Sequence, residues 1–231
     1  MGRPIAKAAP KRRDELPPAE RLRVTEVFLS IQGESASVGW PTVFVRLTGC
    51  PLRCRWCDTA YAFHGGEWLD LAAIEAEVER LGAHHVCITG GEPLAQPNCR
   101  TLIERLATRG HAVSVETSGA LDIAGLDPRA TVVMDVKAPG SGEAERNRLE
   151  NLEHLRGRDQ AKFVLAGRAD YEWARAFVRE HDLAGRTEVL FSPVAGEVEP
   201  ADLAEWILED RLPVRFQVQL HKTLWGDVPG R

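Results

Sequence analysis

Three cysteines stand close together in the chain, at Cys50, Cys54 and Cys57. A crowded trio of this kind predicts metal or redox chemistry rather than disulfide bonds, because we expect a cytoplasmic protein. Gly49 and Pro51 favour a loop over a helix around these residues, since proline cannot continue a hydrogen-bonded turn. A loop allows three thiolates to converge on one small inorganic group.

Two kinds of metal centre fit this spacing. A cubane of four irons bound by only three protein sulfurs leaves one iron open to a substrate or cofactor, whereas a four-cysteine site has no such vacancy. The alternative is a zinc site whose fourth ligand is His64, Cys87 or Cys99. Zinc ribbons normally pair two CxxC halves, and the chain has one such half. The spacing therefore favours an iron–sulfur cluster, with zinc as the open alternative.

Short β-branched runs bounded by Gly, Pro, Asp or Asn predict the strands that position this loop. The predicted strands are residues 24–29, 42–47, 85–89, 111–116, 131–136, 161–165, 188–191 and 215–220. Apolar residues at helical spacing predict helices between several of them. The predicted helices are residues 70–81, 99–109, 170–181 and 200–209.

Alternating strands and helices predict an α/β fold with a parallel sheet covered by helices. About seven strands from residue 42 onward are too few for the eightfold barrel of roughly 250 residues. We therefore expect an incomplete (partial) TIM-like barrel of about six to seven mostly parallel strands with covering helices. Ligands are expected at the carboxyl ends of its strands.

The net charge of −5 combines a basic N-terminus with an acidic body. Residues 1–23 carry a charge of +4 and the remainder carries −9. An acidic body argues against a nucleic-acid partner, because phosphate contacts need a basic face. We predict a mobile basic tail over residues 1–22 and one domain over residues 23–231. No run approaches the ~18 apolar residues of a membrane span, and the N-terminus lacks the apolar core of a signal peptide.

Seven motifs, read in order along the chain, resemble those of a known enzyme family. CxxxCxxC with an aromatic residue before the last cysteine resembles the signature of the radical S-adenosylmethionine (radical SAM) enzymes. The motifs are SIQGE from Ser30, FVRLTGC from Phe44, CRWCDTAY from Cys54, TGGEPL from Thr89, ETSG from Glu116, DVKAP from Asp135 and QLHK from Gln219. Together they resemble the 7-carboxy-7-deazaguanine synthases. That family converts 6-carboxy-5,6,7,8-tetrahydropterin to 7-carboxy-7-deazaguanine with loss of ammonia, in queuosine and other deazapurine biosynthesis.

The resemblance implies one [4Fe–4S] cluster on Cys50, Cys54 and Cys57, S-adenosyl-L-methionine (SAM) on its open iron, and Mg²⁺ at Thr59. The reduced cluster would cleave SAM to methionine and a 5′-deoxyadenosyl radical, so no separate catalytic residue is implied. The implied SAM-binding residues are Trp56, Cys57, Asp58, Gly91, Asp135, Val136, Lys137 and Ser192. The implied substrate-binding residues are Ile31, Gln32, Gly33, Glu34, Arg46, Thr89, Glu116 and His221.

Without the resemblance, several of these residues have ordinary structural interpretations. The TGGEP run could be a turn, Thr59 a turn residue, and Asp135 and Ser192 caps at helix entries. Arg46 could be an outward-facing charge. Strand alternation places it on one face with Phe44, and Val43, Val45 and Leu47 on the other. Cys87, inside a predicted strand, is expected to be a small core residue.

The resemblance also implies partners: a small-molecule pterin substrate, an external one-electron reductant of the flavodoxin or ferredoxin type, and a second copy in a homodimer. Two other functions stay open. One is a glycyl-radical-activating radical SAM enzyme, which shares CxxxCxxC but must accommodate a protein loop; SIQGE, FVRLTGC and QLHK speak against it. The other is a non-catalytic zinc or iron–sulfur module that binds RNA through the basic tail.

Overall fold

The computed structural model describes residues 20–226, 228 and 230. The basic tail predicted over residues 1–22 lies outside the described residues as far as residue 19. The first strand begins at Arg21, two residues before the predicted domain boundary. No helix in the described part of the chain is long and apolar enough to cross a membrane.

In the described part of the chain, nine strands form one mixed sheet. They are β1 (Arg21–Ile31), β2 (Pro41–Leu47), β3 (Glu67–Asp70), β4 (His85–Gly90), β5 (Ala112–Thr117), β6 (Thr131–Asp135), β7 (Gln160–Leu165), β8 (Glu188–Pro193) and β9 (Arg215–Phe216). Their order is β3-β1-β2-β4-β5-β6-β7-β8-β9. From β2 to β9 all neighbours are parallel, while β1 is antiparallel to both β2 and β3. The predicted set of about seven mostly parallel strands is confirmed.

Four helices lie where the apolar spacing predicts them, and a fifth does not. They are α1 (Leu71–Leu81), α2 (Cys99–Thr108), α3 (Arg168–Glu180), α4 (Pro200–Asp210) and α5 (Leu220–Trp225). Helix α1 begins after Asp70, whose Oδ1 accepts the Ala73 N–H at 2.7 Å, and it ends at Gly82 in the left-handed conformation. Both signals are readable in the sequence.

Two elements differ from their predictions. The strand predicted over residues 215–220 stops at Phe216 and is followed by α5. The chain leaves the sheet there because the Leu220 N–H donates to Gly33 O at 3.0 Å instead of to a neighbouring strand. Strand β3 was not predicted, since it is a four-residue edge strand with no buried side chain.

Apolar side chains pack on both faces of the sheet. Val43, Val45 and Leu47 belong to the large core cluster between the sheet and its helices. Phe28, Phe44 and Cys87 form a separate buried cluster on the opposite, inner face, where the two phenylalanine rings stack at 5.1 Å. The alternation predicted for β2 is confirmed, and so is the core position of Cys87.

The segment of residues 32–36, called here the closing segment, leaves β1 and contacts the edge strand β9 on the other side of the sheet. It follows β1, which runs opposite to the parallel strands, so it lies at their amino ends. The Ser35 N–H donates to Gln217 Oε1 at 3.1 Å, and Arg215 Nη2 donates to Ser35 O at 2.8 Å. Among the described residues the strands do not close into a continuous ladder, and this segment spans the gap beside β9. The fold is the predicted partial barrel.

Candidate active site

A cavity of about 1340 Å³, counted together with its open mouth, lies on the inner face of the sheet. All predicted site residues line it except Val136 and Ser192. Val136 packs in the large core cluster. Ser192 is fully buried in β8, and its Oγ has no hydrogen-bond partner. The lining on this side comes instead from Val194 and Ala195, just after Ser192.

The cysteine loop follows β2, at the carboxyl ends of the parallel strands. Backbone hydrogen bonds hold its start: Gly49 N–H donates to Ala62 O, and Glu92 N–H donates to Gly49 O, both at 2.8 Å. Gly49 has φ of +100°, a conformation that favours glycine. Within the loop, the Cys57 N–H donates to Cys54 O at 3.2 Å. Main-chain hydrogen bonds therefore fix the start of the loop against the residues that follow β4.

The three thiols fit a metal cluster. Cys50, Cys54 and Cys57 are unpaired, half-buried and line the same cavity. Burial raises the pKa of the Cys50 and Cys54 thiols, and metal coordination is what holds such thiols deprotonated. Cys87 and Cys99 are fully buried in the apolar clusters instead.

Gly91 makes close approach to the cysteine loop possible. A Cβ atom added there would lie 2.2 Å from Gly49 O and 2.8 Å from the Cys50 Cβ. Within the described residues, no three His, Cys, Asp or Glu side chains are gathered as ligands of one metal ion. A cubane binds its three thiolates at three different irons, so the three thiols need to face the same cavity without surrounding one metal ion.

Glu92 joins the TGGEPL and ETSG motifs. Its fully buried carboxylate accepts hydrogen bonds from Thr117 Oγ1 at 2.9 Å, from Ser118 N at 2.7 Å and from Ser118 Oγ at 2.5 Å. A further bond comes from the Leu94 N–H at 2.9 Å. A buried carboxylate needs such donors. Sequence reasoning assigned Glu92 no role, and the structure shows it fastening two cavity walls together.

The wall predicted for SAM is charged. Asp135 Oδ2 lies 3.0 Å from Lys137 Nζ. Burial alone would raise the pKa of Asp135, but Lys137 and Lys162 outweigh it, so its pKa is lowered. Trp56 and Asp58 line the same cavity.

Thr59 lies beside Asp58, and its Oγ1 donates to Asp58 Oδ1 at 2.7 Å. A hydroxyl and a carboxylate are oxygen donors of the kind that Mg²⁺ prefers. The pair therefore suits the Mg²⁺ site predicted at Thr59.

The wall predicted for the substrate joins residues from distant parts of the chain. Gln32 Nε2 donates to Glu116 Oε1 at 3.2 Å, and Thr89 Oγ1 donates to Glu116 Oε2 at 3.1 Å. His221 packs against Gly33 so closely that a Cβ there would lie 2.1 Å from its Nδ1. Ligand-facing groups thus come from both ends of the strands, whereas the fold alone predicted only the carboxyl ends.

Arg46 faces the cavity, so its interpretation as an outward-facing charge is wrong. Its Nε donates to Glu26 Oε1 at 2.8 Å, and the Tyr61 hydroxyl donates to the same oxygen at 2.8 Å. Among the described residues this is the one hydrogen bond of the guanidinium, which leaves N–H groups for an anion. Burial would lower the pKa of Arg46, but Tyr61 and Glu26 raise it above its ordinary value.

Lys162 and Gln219 are site residues that sequence reasoning missed. Lys162 Nζ lies 2.6 Å from Glu34 Oε2, and Gln219 Nε2 donates to Glu34 Oε1 at 2.7 Å. The signal for Lys162 was a single charge in the predicted strand over residues 161–165, the same signal that drew attention to Arg46. Gln219 lies within the QLHK motif, where only His221 was assigned.

The fold and the three-thiol cavity are those of a radical SAM protein. The family model for the radical SAM superfamily matches residues 44–159, about half of the chain, and the chain belongs to that superfamily. A 7-carboxy-7-deazaguanine synthase from Chlorobaculum tepidum is 44% identical over 208 residues, which cover 89% of this chain and 94% of that protein. Another from Koribacter versatilis is 44% identical over 221 residues, covering 88% and 97%.

Within the superfamily, the chain therefore belongs to the 7-carboxy-7-deazaguanine synthase family. Its fold is also that of the crystal structure of QueE from Escherichia coli, with a TM-score of 0.71. That match has 24% sequence identity and covers 87% of this chain and 95% of the other. The predicted family is confirmed, and so is the predicted class of fold.

Proposed function

We propose that the protein is a carbon–nitrogen lyase that converts 6-carboxy-5,6,7,8-tetrahydropterin to 7-carboxy-7-deazaguanine with release of ammonia. One observation carries the proposal: a loop with three free thiols and a polar network of the type a pterin needs line the same cavity. Membership of the synthase family supports it.

The thiol end of the cavity would hold the cofactors. Cys50, Cys54 and Cys57 would bind a [4Fe–4S] cluster, and the backbone at Gly91 would lie against SAM, with Asp135 and Lys137 as polar contacts. When bound, the cluster and SAM supply the radical that starts the rearrangement, which is cofactor chemistry that protein groups do not perform. The protein would position these groups relative to each other.

The opposite end of the cavity would hold the pterin. The Glu34 carboxylate accepts hydrogen bonds and the Gln32 amide both donates and accepts, so the pair matches the mixed aminopyrimidinone edge. Arg46 would bind the substrate carboxylate, since a planar guanidinium pairs with a carboxylate through two parallel hydrogen bonds. Glu116, Thr89 and His221 would complete the pocket, and Thr59 with Asp58 would hold Mg²⁺.

We further propose a cytoplasmic homodimer that takes its electron from an external donor of the flavodoxin or ferredoxin type. A one-electron reduction of the cluster requires such a donor, because neither SAM nor the pterin supplies that electron. Family resemblance supports the dimer. Size-exclusion chromatography with light scattering gives the mass of the particle, and a single-chain mass contradicts the dimer.

One anaerobic experiment tests the proposed activity. The reconstituted protein is given SAM, dithionite and the carboxypterin, and ammonia and the deazapurine are quantified by colorimetry and mass spectrometry. We expect both products in equal amounts, with roughly four irons per chain. SAM cleavage without either product would favour a glycyl-radical-activating enzyme, and one zinc per chain would favour the non-catalytic module.

A further inference from the structure

Lys162 connects two carboxylates that stand on different walls of the cavity. It projects from β7, and the whole residue is 9% exposed. Its Nζ lies 2.6 Å from Glu34 Oε2 in the closing segment and 3.6 Å from Asp135 Oδ2 at the end of β6. The lysine therefore sits between a residue proposed for the pterin and a residue proposed for SAM.

The two carboxylates depend on Lys162 to different degrees. Asp135 has a second cation, Lys137, at 3.0 Å. Glu34 has Lys162 as its ion-pair partner among the described residues, with the neutral Gln219 amide on its other oxygen and His221 nearby. Burial would lower the pKa of Lys162, but the carboxylates of Glu34, Asp135 and Glu116 raise it well above its ordinary value. Removing the lysine leaves Asp135 paired and leaves Glu34 a buried carboxylate without a close cation, which is costly.

We propose that Lys162 is a positioning residue that holds the Glu34 carboxylate in place for the pterin, and that it acts on the pterin subsite far more than on the SAM subsite. The inference deepens the proposed function and rests on it. It assigns Lys162 no contact with the reacting atoms, so its effect must pass through Glu34. A double-mutant cycle can measure that dependence directly.

The test measures binding without turnover. Reconstituted protein without reductant is equilibrated with the carboxypterin, and separately with SAM, in anaerobic dialysis. For Lys162→Met we expect the pterin Kd to rise roughly 10–100-fold, as when one partner of a buried charged pair is lost, while the SAM Kd changes by less than about threefold. Lys162→Arg should recover part of the pterin affinity, because it restores the charge.

The cycle adds Glu34→Gln and the double variant Glu34→Gln/Lys162→Met. If Lys162 acts through Glu34, the double variant binds the pterin no more weakly than Glu34→Gln alone. If the increases in pterin Kd caused by the two single substitutions multiply in the double variant, the inference is overturned, because Lys162 then contributes on its own.

A pH series separates positioning from loss of structure. In the wild type, burial would raise the pKa of Glu34, but Lys162, Gln219 and His221 together lower it. Pterin affinity should therefore change little between about pH 6 and 8. In Lys162→Met burial dominates, Glu34 takes up a proton, and affinity should improve as pH rises. A flat profile in Lys162→Met would contradict the inference.

Arg156→Met is the matched control. Arg156 Nε pairs at 2.8 Å with the fully buried Asp159, just before β7 and outside the cavity lining. The Arg156→Met substitution also removes the cation of a buried carboxylate, and it should leave the Kd values for the pterin and for SAM unchanged. Equal weakening of pterin and SAM binding in Lys162→Met would make the lysine merely structural. A wild-type protein that fails to bind the carboxypterin would instead overturn the proposed function.

Discussion

The two ends of the cavity are built from different kinds of contact. At the cysteine-loop end, main-chain hydrogen bonds hold the start of the loop: Glu92 N–H donates to Gly49 O at 2.8 Å, and Gly91 N–H donates to Leu47 O at 3.1 Å. The outer part of the loop is held by the pairing of Arg55 with Glu197. At the closing-segment end, most long-range contacts come from side chains, beside the main-chain bond from Leu220 N–H to Gly33 O at 3.0 Å. Gln32, Lys162 and Gln219 reach partners 84, 128 and 185 residues away in the sequence.

This difference suits the ligands that each end would hold. A cluster and SAM are shared across the superfamily, and a backbone frame at this end would position them beside the charged pair of Asp135 and Lys137. A pterin must be distinguished from other substrates, and side-chain hydrogen bonds and charges supply that selectivity. Substitutions at the cysteine-loop end should therefore affect cofactors, while those at the closing-segment end should affect substrate affinity.

The largest expected effect is loss of the cluster. Replacing any one of Cys50, Cys54 and Cys57 by Ala should abolish the broad absorption near 400 nm (about the usual position for thiolate-ligated clusters) or leave a defective cluster. Visible spectra and iron analysis after anaerobic reconstitution measure this. Cys87→Ala and Cys99→Ala are the controls and should keep full iron content. Loss of iron in either control would show that the trio is not the complete ligand set.

Next in size is the loss of substrate affinity in Arg46→Ala. Removing a buried charged partner should cost about 2–5 kcal/mol of pterin binding, and Arg46→Lys should recover only part. Iron content and SAM affinity should stay at wild-type values, because Arg46 belongs to the substrate end. Steady-state kinetics measure kcat/KM for the carboxypterin, and dialysis measures the affinities for the pterin and for SAM. A wild-type kcat/KM in Arg46→Ala would mean that the substrate carboxylate is held by other groups.

Gly91→Ala tests the backbone frame. The added methyl group meets the Gly49 carbonyl, which cannot rotate away as a side chain could. A displacement of about 1 Å can slow a catalysed reaction roughly a hundredfold, so we expect the rate of SAM cleavage to fall by about that factor and SAM affinity to fall with it. Gly157→Ala is the matched control, since a Cβ there meets nothing within 4 Å. Unchanged SAM affinity would show that the loop yields easily.

Gly33→Ala makes the corresponding change in the closing segment. Here the added methyl group meets the His221 ring, whose Nδ1 would lie 2.1 Å away. A side chain can move, so we expect a smaller loss of about 1–2 kcal/mol in pterin binding. Calorimetry of pterin binding should show Gly33→Ala/His221→Ala no weaker than His221→Ala alone. A further drop in the double variant would locate the clash in the backbone instead.

The same contrast explains what could be predicted from the sequence. The cysteine-loop end is encoded locally, in CxxxCxxC and in glycines that follow strands, and these motifs are readable without tertiary structure. Strand alternation also predicts one common face for Phe44 and Arg46, and the structure shows that this face is the inner one. The Glu34–Lys162 pair could not be predicted, because its partners are 128 residues apart and meet only when the sheet curves.

Local patterns failed where tertiary contacts decide the conformation. The apolar run after Arg215 has strand character, yet Leu220 bonds to the closing segment and a helix begins. The family resemblance implies a SAM contact for Ser192, but its side chain is buried away from the cavity lining. Both errors concern the far edge of the sheet, where the closing segment replaces a strand.

The smallest expected effect is on stability against acid, and it belongs to the closing-segment end. The pKa of Glu34 is lowered in the folded protein, since Lys162, Gln219 and His221 outweigh burial. A carboxylate with a lowered pKa contributes stability above its unfolded pKa, near 4.5, and loses it as pH falls through the folded value.

The free energies of unfolding from urea titrations of the wild type and of Glu34→Gln/Lys162→Met should therefore differ by a constant amount from about pH 5.5 to 8. Below about pH 4.5 the wild type should lose on the order of 1 kcal/mol more than the double variant. Parallel curves down to pH 3 would show that the Glu34 carboxyl is not held ionised by the pair, and the contrast between the two ends would then rest on the cavity's neutral contacts alone.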